Sequence, residues 1–135
     1  MKLLLDTHAL LWALGNDARL GEQARGLIGD PENDVLASAA SLWEIALKIR
    51  IGKLTADLRR ILAALPAARY RLLAIEPRHL IALGAVPSYP DHRDPFDHLL
   101  IAQSIADGLV LVSENRNIAR YPVPCIPCSD PTAGA

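Results

Sequence analysis

Short, wholly apolar runs recur along this chain, and each gives way to a stretch whose apolar residues fall three or four apart. Leu3-Leu4-Leu5, Val35-Leu36-Ala37 and Val110-Leu111-Val112 have no polar alternation. A strand without a polar face is covered on both sides, as in a parallel sheet between two helical layers. The spacing predicts helices over residues 7–14, 20–28 and from about Ser41 to Gly52. Further helices are predicted over 57–65 (stopped by Pro66), 77–86 and 95–106. Residues 70–75 and 123–126 read as two more strands, the last at an edge, with a short helical turn at best over 115–120. The expected fold is α/β: one domain, a central parallel sheet of about four to five strands, and helices on both faces.

At 135 residues, 51% hydrophobic and 21% charged, the chain is large enough for a proper core and too apolar to be disordered. No repeat or linker divides it. Residues 1–128 are expected to form the domain, and 129–135, small and polar, a flexible C-terminal tail. A net charge of −1 gives no global attraction to nucleic acid, though a cleft's field depends on local distribution. Met1-Lys2 followed by three leucines and Asp6 is no secretory leader, and no apolar stretch approaches the ~20 residues that span a bilayer. The expectation is a cytoplasmic protein with no membrane contact. Cys125-x-x-Cys128 lacks a second ligand pair for zinc, and Pro124 and Pro127 make the segment extended, so ordinary reduced thiols are expected.

The acids carry the chemistry. Asp6 follows the first apolar run, Glu44 lies just after the second, and Asp94 and Asp97 open the helix at Pro95. In open α/β folds, ligands bind beyond the carboxyl ends of the strands. Carboxylates brought together there must be relieved by protons or a cation, and a hard divalent ion suggests phosphoryl chemistry. Each acid except Asp6 also has a structural account. Ser41-x-x-Glu44 fits a capping box, Lys48 stands four residues after Glu44, and Asp94-Pro95-Phe96-Asp97 fits an N-terminal cap. Asp6 directly follows a buried strand, where a solvated charge is not expected.

Four blocks in order resemble the PIN-domain toxins of the VapC type. They are Leu3-Leu4-Leu5-Asp6-Thr7-His8; Ser41-Leu42-Trp43-Glu44-Ile45-Ala46-Leu47-Lys48 with Gly52-Lys53-Leu54; His92-Arg93-Asp94-Pro95-Phe96-Asp97-His98-Leu99-Leu100-Ile101-Ala102-Gln103; and Gly108-Leu109-Val110-Leu111-Val112-Ser113 with Tyr121-Pro122-Val123. The resemblance runs to about residue 126. It implies a Mg²⁺- or Mn²⁺-dependent ribonuclease, the toxin of a toxin–antitoxin pair, with an RNA substrate, a small antitoxin partner and a homodimeric state. On that reading Asp6, Glu44 and Asp97 match the family's acidic triad. The family's frequent fourth acid falls here at Asn115, preceded by Glu114; Asn115 offers a carbonyl oxygen without charge, and Asp94 is a candidate to make up the difference.

Asp6 and Asp97 are the expected direct metal ligands, with Glu44 binding through water or orienting the nucleophile, and Asp94 and Asn115 as further candidates. Thr7 and Ser113 are expected to hydrogen-bond the carboxylates. Arg93, Arg116 and Arg120 are candidate phosphate contacts, whereas Lys48, Arg50 and Lys53 read as a solvated helix face. His79 is expected on a solvent face, and none of His8, His92 or His98 is expected to be an essential base. Trp12 and Trp43 read as core or interface anchors. Two readings compete: a catalytically weak module that docks RNA or protein, and an aspartyl-phosphate phosphatase. The phosphatase would want an acid two residues after Asp6, where His8 stands.

Overall fold

The computed structural model describes residues 1–130. Five strands form one parallel sheet: β1 (Lys2–Leu5), β2 (Asp34–Ser38), β3 (Tyr70–Leu73), β4 (Val110–Ser113) and β5 (Cys125–Pro127). Their order across the sheet is β3-β2-β1-β4-β5. Six helices surround it: α1 (Thr7–Leu14), α2 (Glu22–Gly29), α3 (Ala39–Arg50), α4 (Leu58–Ala67), α5 (Pro77–Leu83) and α6 (Pro95–Asp107). A 3₁₀ turn spans Arg116–Arg120.

The expected α/β architecture is borne out, and the reason lies in β1. Leu3, Leu4 and Leu5 are each fully buried. Because successive side chains leave a strand on opposite faces, Leu3 and Leu5 join the core formed with α1 to α4, whereas Leu4 joins the core built by α6 and the 3₁₀ turn. Val35 and Ala37 divide from Leu36 in the same way. The chain runs outward from β1 through β2 to β3, then returns to the other side of β1 for β4. That reversal makes the carboxyl edge between β1 and β4 the switch point of the sheet, where the following loops diverge and leave a crevice.

Several boundaries differ from the sequence reading for local reasons. α3 begins at Ala39 because Ser38, not Ser41, is its cap, accepting from the Ala40 N–H at 3.0 Å. Ser41 is buried inside the helix with no partner for its hydroxyl among the described residues, so no capping box with Glu44 exists. α4 runs through Pro66 and ends at Ala67, and Arg69, just beyond it with a φ of 64°, reverses the chain. β3 and α5 stop short, at Leu73 and Leu83, while β5 covers Cys125–Pro127. α6 matches expectation closely: Asp94 caps it, Pro95 takes its first position, and Gly108, at φ 67°, closes it.

The proposed tail divides in two. Ser129 and Asp130 are tied down: the Asp130 carboxylate accepts from the Glu22 N–H at 2.9 Å, capping α2, and the Gly21 N–H donates to the Cys128 carbonyl at 2.7 Å. Residues 131–135 lie outside the described residues. Among the described residues no helix is long and apolar enough to cross a membrane.

Candidate active site

A cleft of about 250 Å³ opens at the switch point, lined by Asp6, Thr7, His8, Glu44, Lys48, Asp94, Asp97, Glu114 and Asn115. Three separate elements deliver its acids. Asp6 comes directly off β1, Glu44 from the second turn of α3, and Asp97 from the first turn of α6. Glu44 therefore does not occupy a strand-to-helix junction as Asp6 does; it sits in the second turn of α3, where the Thr7 hydroxyl at the start of α1 holds it.

Asp6 is only 4% exposed and holds the junction together. Its Oδ1 accepts from the Ala9 N–H at 2.7 Å, capping α1. Its Oδ2 accepts from the Ser113 hydroxyl at 2.8 Å and the Glu114 N–H at 3.0 Å, which links the ends of β1 and β4. Burial nevertheless pushes its carboxyl above the ordinary carboxylate range, the three hydrogen bonds offsetting only part of that cost. A charge so placed favours a nearby cation.

Thr7 donates its hydroxyl to Glu44 Oε1, and Lys48 Nζ lies 3.1 Å from Glu44 Oε2. Lys48 is thus half-buried in the cleft rather than on a solvated face, and its i+4 spacing from Glu44 was the signal. Asp97 Oδ2 accepts from Asn115 Nδ2 at 2.9 Å and faces His92 Nε2 at 3.1 Å. Asn115 presents its amide nitrogen, not its carbonyl oxygen, to the acids; its Oδ1 caps the 3₁₀ turn by accepting from the Asn117 N–H at 2.9 Å. Asp94 accepts from the Phe96 and Asp97 N–H groups, so it is a helix cap that also lines the cleft. Glu114 turns away, toward the Ser129 hydroxyl at 2.8 Å.

The other candidates scatter. Arg93 is exposed beside the acidic loop, and Arg116 lines an adjoining pocket of about 350 Å³. Arg120 is engaged by Asp91 at 2.9 and 3.0 Å, with its guanidinium 3.9 Å from the Tyr89 ring centroid. His79 corrects the solvent-face expectation: it is fully buried, with Nε2 2.9 Å from Asp107. His8 packs against Trp12 in the α1 layer, while Trp43, 55% exposed, meets Phe96 edge-on. Cys125 and Cys128 are free thiols, and burial raises both.

Among the described residues, no three of the His, Cys, Asp and Glu side chains stand close enough to share one ion as placed. The donor set nonetheless fits a hard divalent cation in kind. Its members are carboxylate oxygens in one cleft, one of them buried and made costly by that burial. Positive or N–H groups, Lys48 on Glu44 and Asn115 on Asp97, lie against the others.

A PIN domain model matches residues 3–124, a span that includes every acid of the cleft. The chain belongs to the PIN domain family. Solved structures with a similar fold include VapBC2 from Rickettsia felis bound to a DNA fragment from their promoter (17% identity, TM-score 0.69, 93% of this chain and 98% of that one). DNA-bound VapBC from Salmonella typhimurium is also similar (20%, 0.66, 93% and 97%), as is FitAcB from Neisseria gonorrhoeae (18%, 0.64, 93% and 96%). At these identities the likeness is one of fold. No curated protein sequence matches the chain.

Proposed function

We propose that this PIN domain is a Mg²⁺- or Mn²⁺-dependent endoribonuclease that acts in the cytoplasm as the toxin of a toxin–antitoxin pair. The observation that carries the reading is the convergence of Asp6, Glu44 and Asp97, from three different elements, on one cleft at the switch point of the sheet. Asp6 and Asp97 would hold the ion, with Glu44 and Asp94 within the same cleft. When bound, such an ion lowers the pKa of a coordinated water and neutralises charge on a phosphodiester oxygen.

The chain's own residues do the rest. Ser113 holds Asp6 by donating to Oδ2 while its own oxygen accepts from the Asn115 N–H at 3.0 Å, so β4 registers Asp6 against Asn115. Thr7 fixes one oxygen of Glu44, leaving Lys48 to neutralise the other. Lys48, and Arg93 and Arg116 on the rim, supply positive charge for the RNA backbone. The Thr7 and Ser113 hydroxyls are each given to a carboxylate that this reading assigns to the metal site, and burial disfavours both thiols as thiolates, so hydrolysis by water is the reading rather than a covalent intermediate. The VapBC and FitAcB relatives in fold support a small antitoxin partner, for which a basic side chain entering the acidic cleft is the natural plug. A homodimer is part of the same proposal.

The test is a Mg²⁺ and Mn²⁺ titration with fluorescent single-stranded RNA, using wild type and Asp97→Asn. Cleavage that requires metal and disappears in a folded Asp97→Asn variant is expected. Wild-type rates in that variant, or cleavage in chelator, reject the proposal. RNA binding without turnover would instead support a docking module, the reading favoured by the amide of Asn115 where the family often has an acid.

A further inference from the structure

We propose that His92 and Tyr121 form a positioning pair that aims Asp97, holding one carboxylate oxygen so that the other is left for a cation. The inference rests on the reading of Asp97 as a metal ligand. It concerns two buried residues outside the lining of the cleft, argued to act through Asp97.

His92 is 4% exposed, and so is Tyr121, although the first lies in the loop before α6 and the second just after the 3₁₀ turn. His92 Nδ1 is 2.7 Å from the Tyr121 hydroxyl, and Nε2 is 3.1 Å from Asp97 Oδ2. A neutral imidazole has one donor and one acceptor, so the partner of one nitrogen decides the role of the other. Asp97 decides which is which. Its carboxylate oxygen accepts, so the His92 proton belongs on Nε2, and Nδ1 is left to accept from the Tyr121 hydroxyl. Asn115 Nδ2 also lies 3.1 Å from His92 Nε2, and with that tautomer both donors turn to the Asp97 oxygen rather than to each other. His98 Nε2, 2.9 Å from the His92 carbonyl, carries a proton of its own and holds the loop.

Asn115 Nδ2 reaches the same Oδ2 at 2.9 Å. Two N–H donors, from the loop before α6 and the segment after β4, thus converge on one oxygen. Among the described residues Asp97 Oδ1 has no hydrogen bond, in a side chain that lines the cleft. A carboxylate held this way is set to one rotamer before any ion arrives, and such support for a ligand commonly governs metal affinity. A role in packing alone predicts something different: His92 also stacks edge-on against His98 and Tyr121, at 5.2 and 5.4 Å, and that contact asks nothing of the ring nitrogens.

Two measurements on the RNA-free protein decide the matter. The first is the His92 tautomer, read by ¹⁵N NMR of metal-free protein at pH 8: Nε2–H is expected, and Nδ1–H overturns the pairing. The second is Mn²⁺ binding, followed by the EPR signal of unbound ion. His92→Gln places an amide near the Nε2 position, whereas His92→Asn reaches only the Nδ1 position; Tyr121→Phe keeps the packing and removes the hydroxyl. His92→Gln should stay within about threefold of wild type, whereas His92→Asn and Tyr121→Phe should bind about 10–100-fold more weakly. Equal affinity in all variants, or equal loss in Gln and Asn with Tyr121→Phe unaffected, overturns the inference. A wild type that binds no Mn²⁺ overturns the metal reading, while the tautomer still decides whether His92 is aimed at Asp97.

Discussion

α6 carries Asp97 at its first turn and Asp107 at its last, and the second of these sets a measurable part of the domain's stability. Asp107 accepts from Arg78 Nε at 2.8 Å and Nη2 at 3.1 Å, and from the buried His79 Nε2 at 2.9 Å. The Arg78 guanidinium foremost, and His79 after it, hold its carboxyl down at about 2, against an opposing push from burial. At about 1.4 kcal/mol per pH unit, the gap from an ordinary aspartate is worth no more than about 2 kcal/mol at pH 7, since Arg78 is half exposed. Because the folded-state value is the lower one, this stability is fully present above the unfolded value near 4 and is lost as pH falls through about 2. Asp107→Asn mimics the protonated form and strands part of a buried donor set, so it should cost about 2 kcal/mol, or a midpoint about 5–10 °C lower, at pH 7. Urea unfolding of both proteins at pH 7 and pH 3 checks this: the difference should shrink by roughly half at pH 3. A difference that is absent at pH 7, or constant across pH, would refute the assignment. Metal-dependent RNA cleavage at 25 °C should be unchanged, since Asp107 is remote from the cleft.

Asn115→Asp replaces an N–H donor on Asp97 with a second carboxylate, and should lower metal-free stability by about 1.5–3 kcal/mol, the worth of a hydrogen bond to a charged group. Mn²⁺ should then raise its melting temperature more than it raises that of wild type; an equal rise would mean that position 115 does not face the ion. A Cβ at Gly21 would lie 2.4 Å from Asp130 Oδ1 and 2.6 Å from its backbone nitrogen, so Gly21→Ala should dislodge the α2 cap and cost about 1–2 kcal/mol. Asp130→Ala added to Gly21→Ala should then cost almost nothing more in thermal melts; full additivity would show that the two do not act through one contact.

What could be read in advance was what the chain encodes locally. The strands announced themselves because a two-sided apolar run has few other uses, and α6 because Asp94-Pro95 and Gly108 are start and stop signals within one turn of the helix. Asp6 stood out because a charge immediately after a buried strand has no cheap solvated place to go. The misread features have the opposite character. Ser41-x-x-Glu44 satisfies the capping pattern, and a second strand read as Asp34 to Ser38 leaves either serine free to start the helix; the Ser38 hydroxyl, accepting from the Ala40 N–H, starts it at Ala39. The sequence around His79 points to solvent because nothing near it reveals that Gln103 and Asp107, more than twenty residues away, enclose it.

The same division runs through the cleft. Residue type was enough to propose Asn115 as an oxygen ligand, but its amide has two ends, and neighbouring backbone chooses between them. The Asn117 N–H claims the oxygen for the start of the 3₁₀ turn, which turns the nitrogen toward Asp97. An aspartate there could cap the turn equally well and would place a negative oxygen against Asp97. The departure from the acid that the family resemblance implies here is therefore a loss of charge at a fixed position rather than a change of shape. With His92 and Lys48 it leaves the metal-free cleft partly neutralised by its own donors. On the proposed metal reading, an arriving cation would meet Lys48 on Glu44 and the Asn115 and His92 donors on Asp97, so metal affinity would depend on how well Asp97 is aimed as well as on how many acids the cleft has.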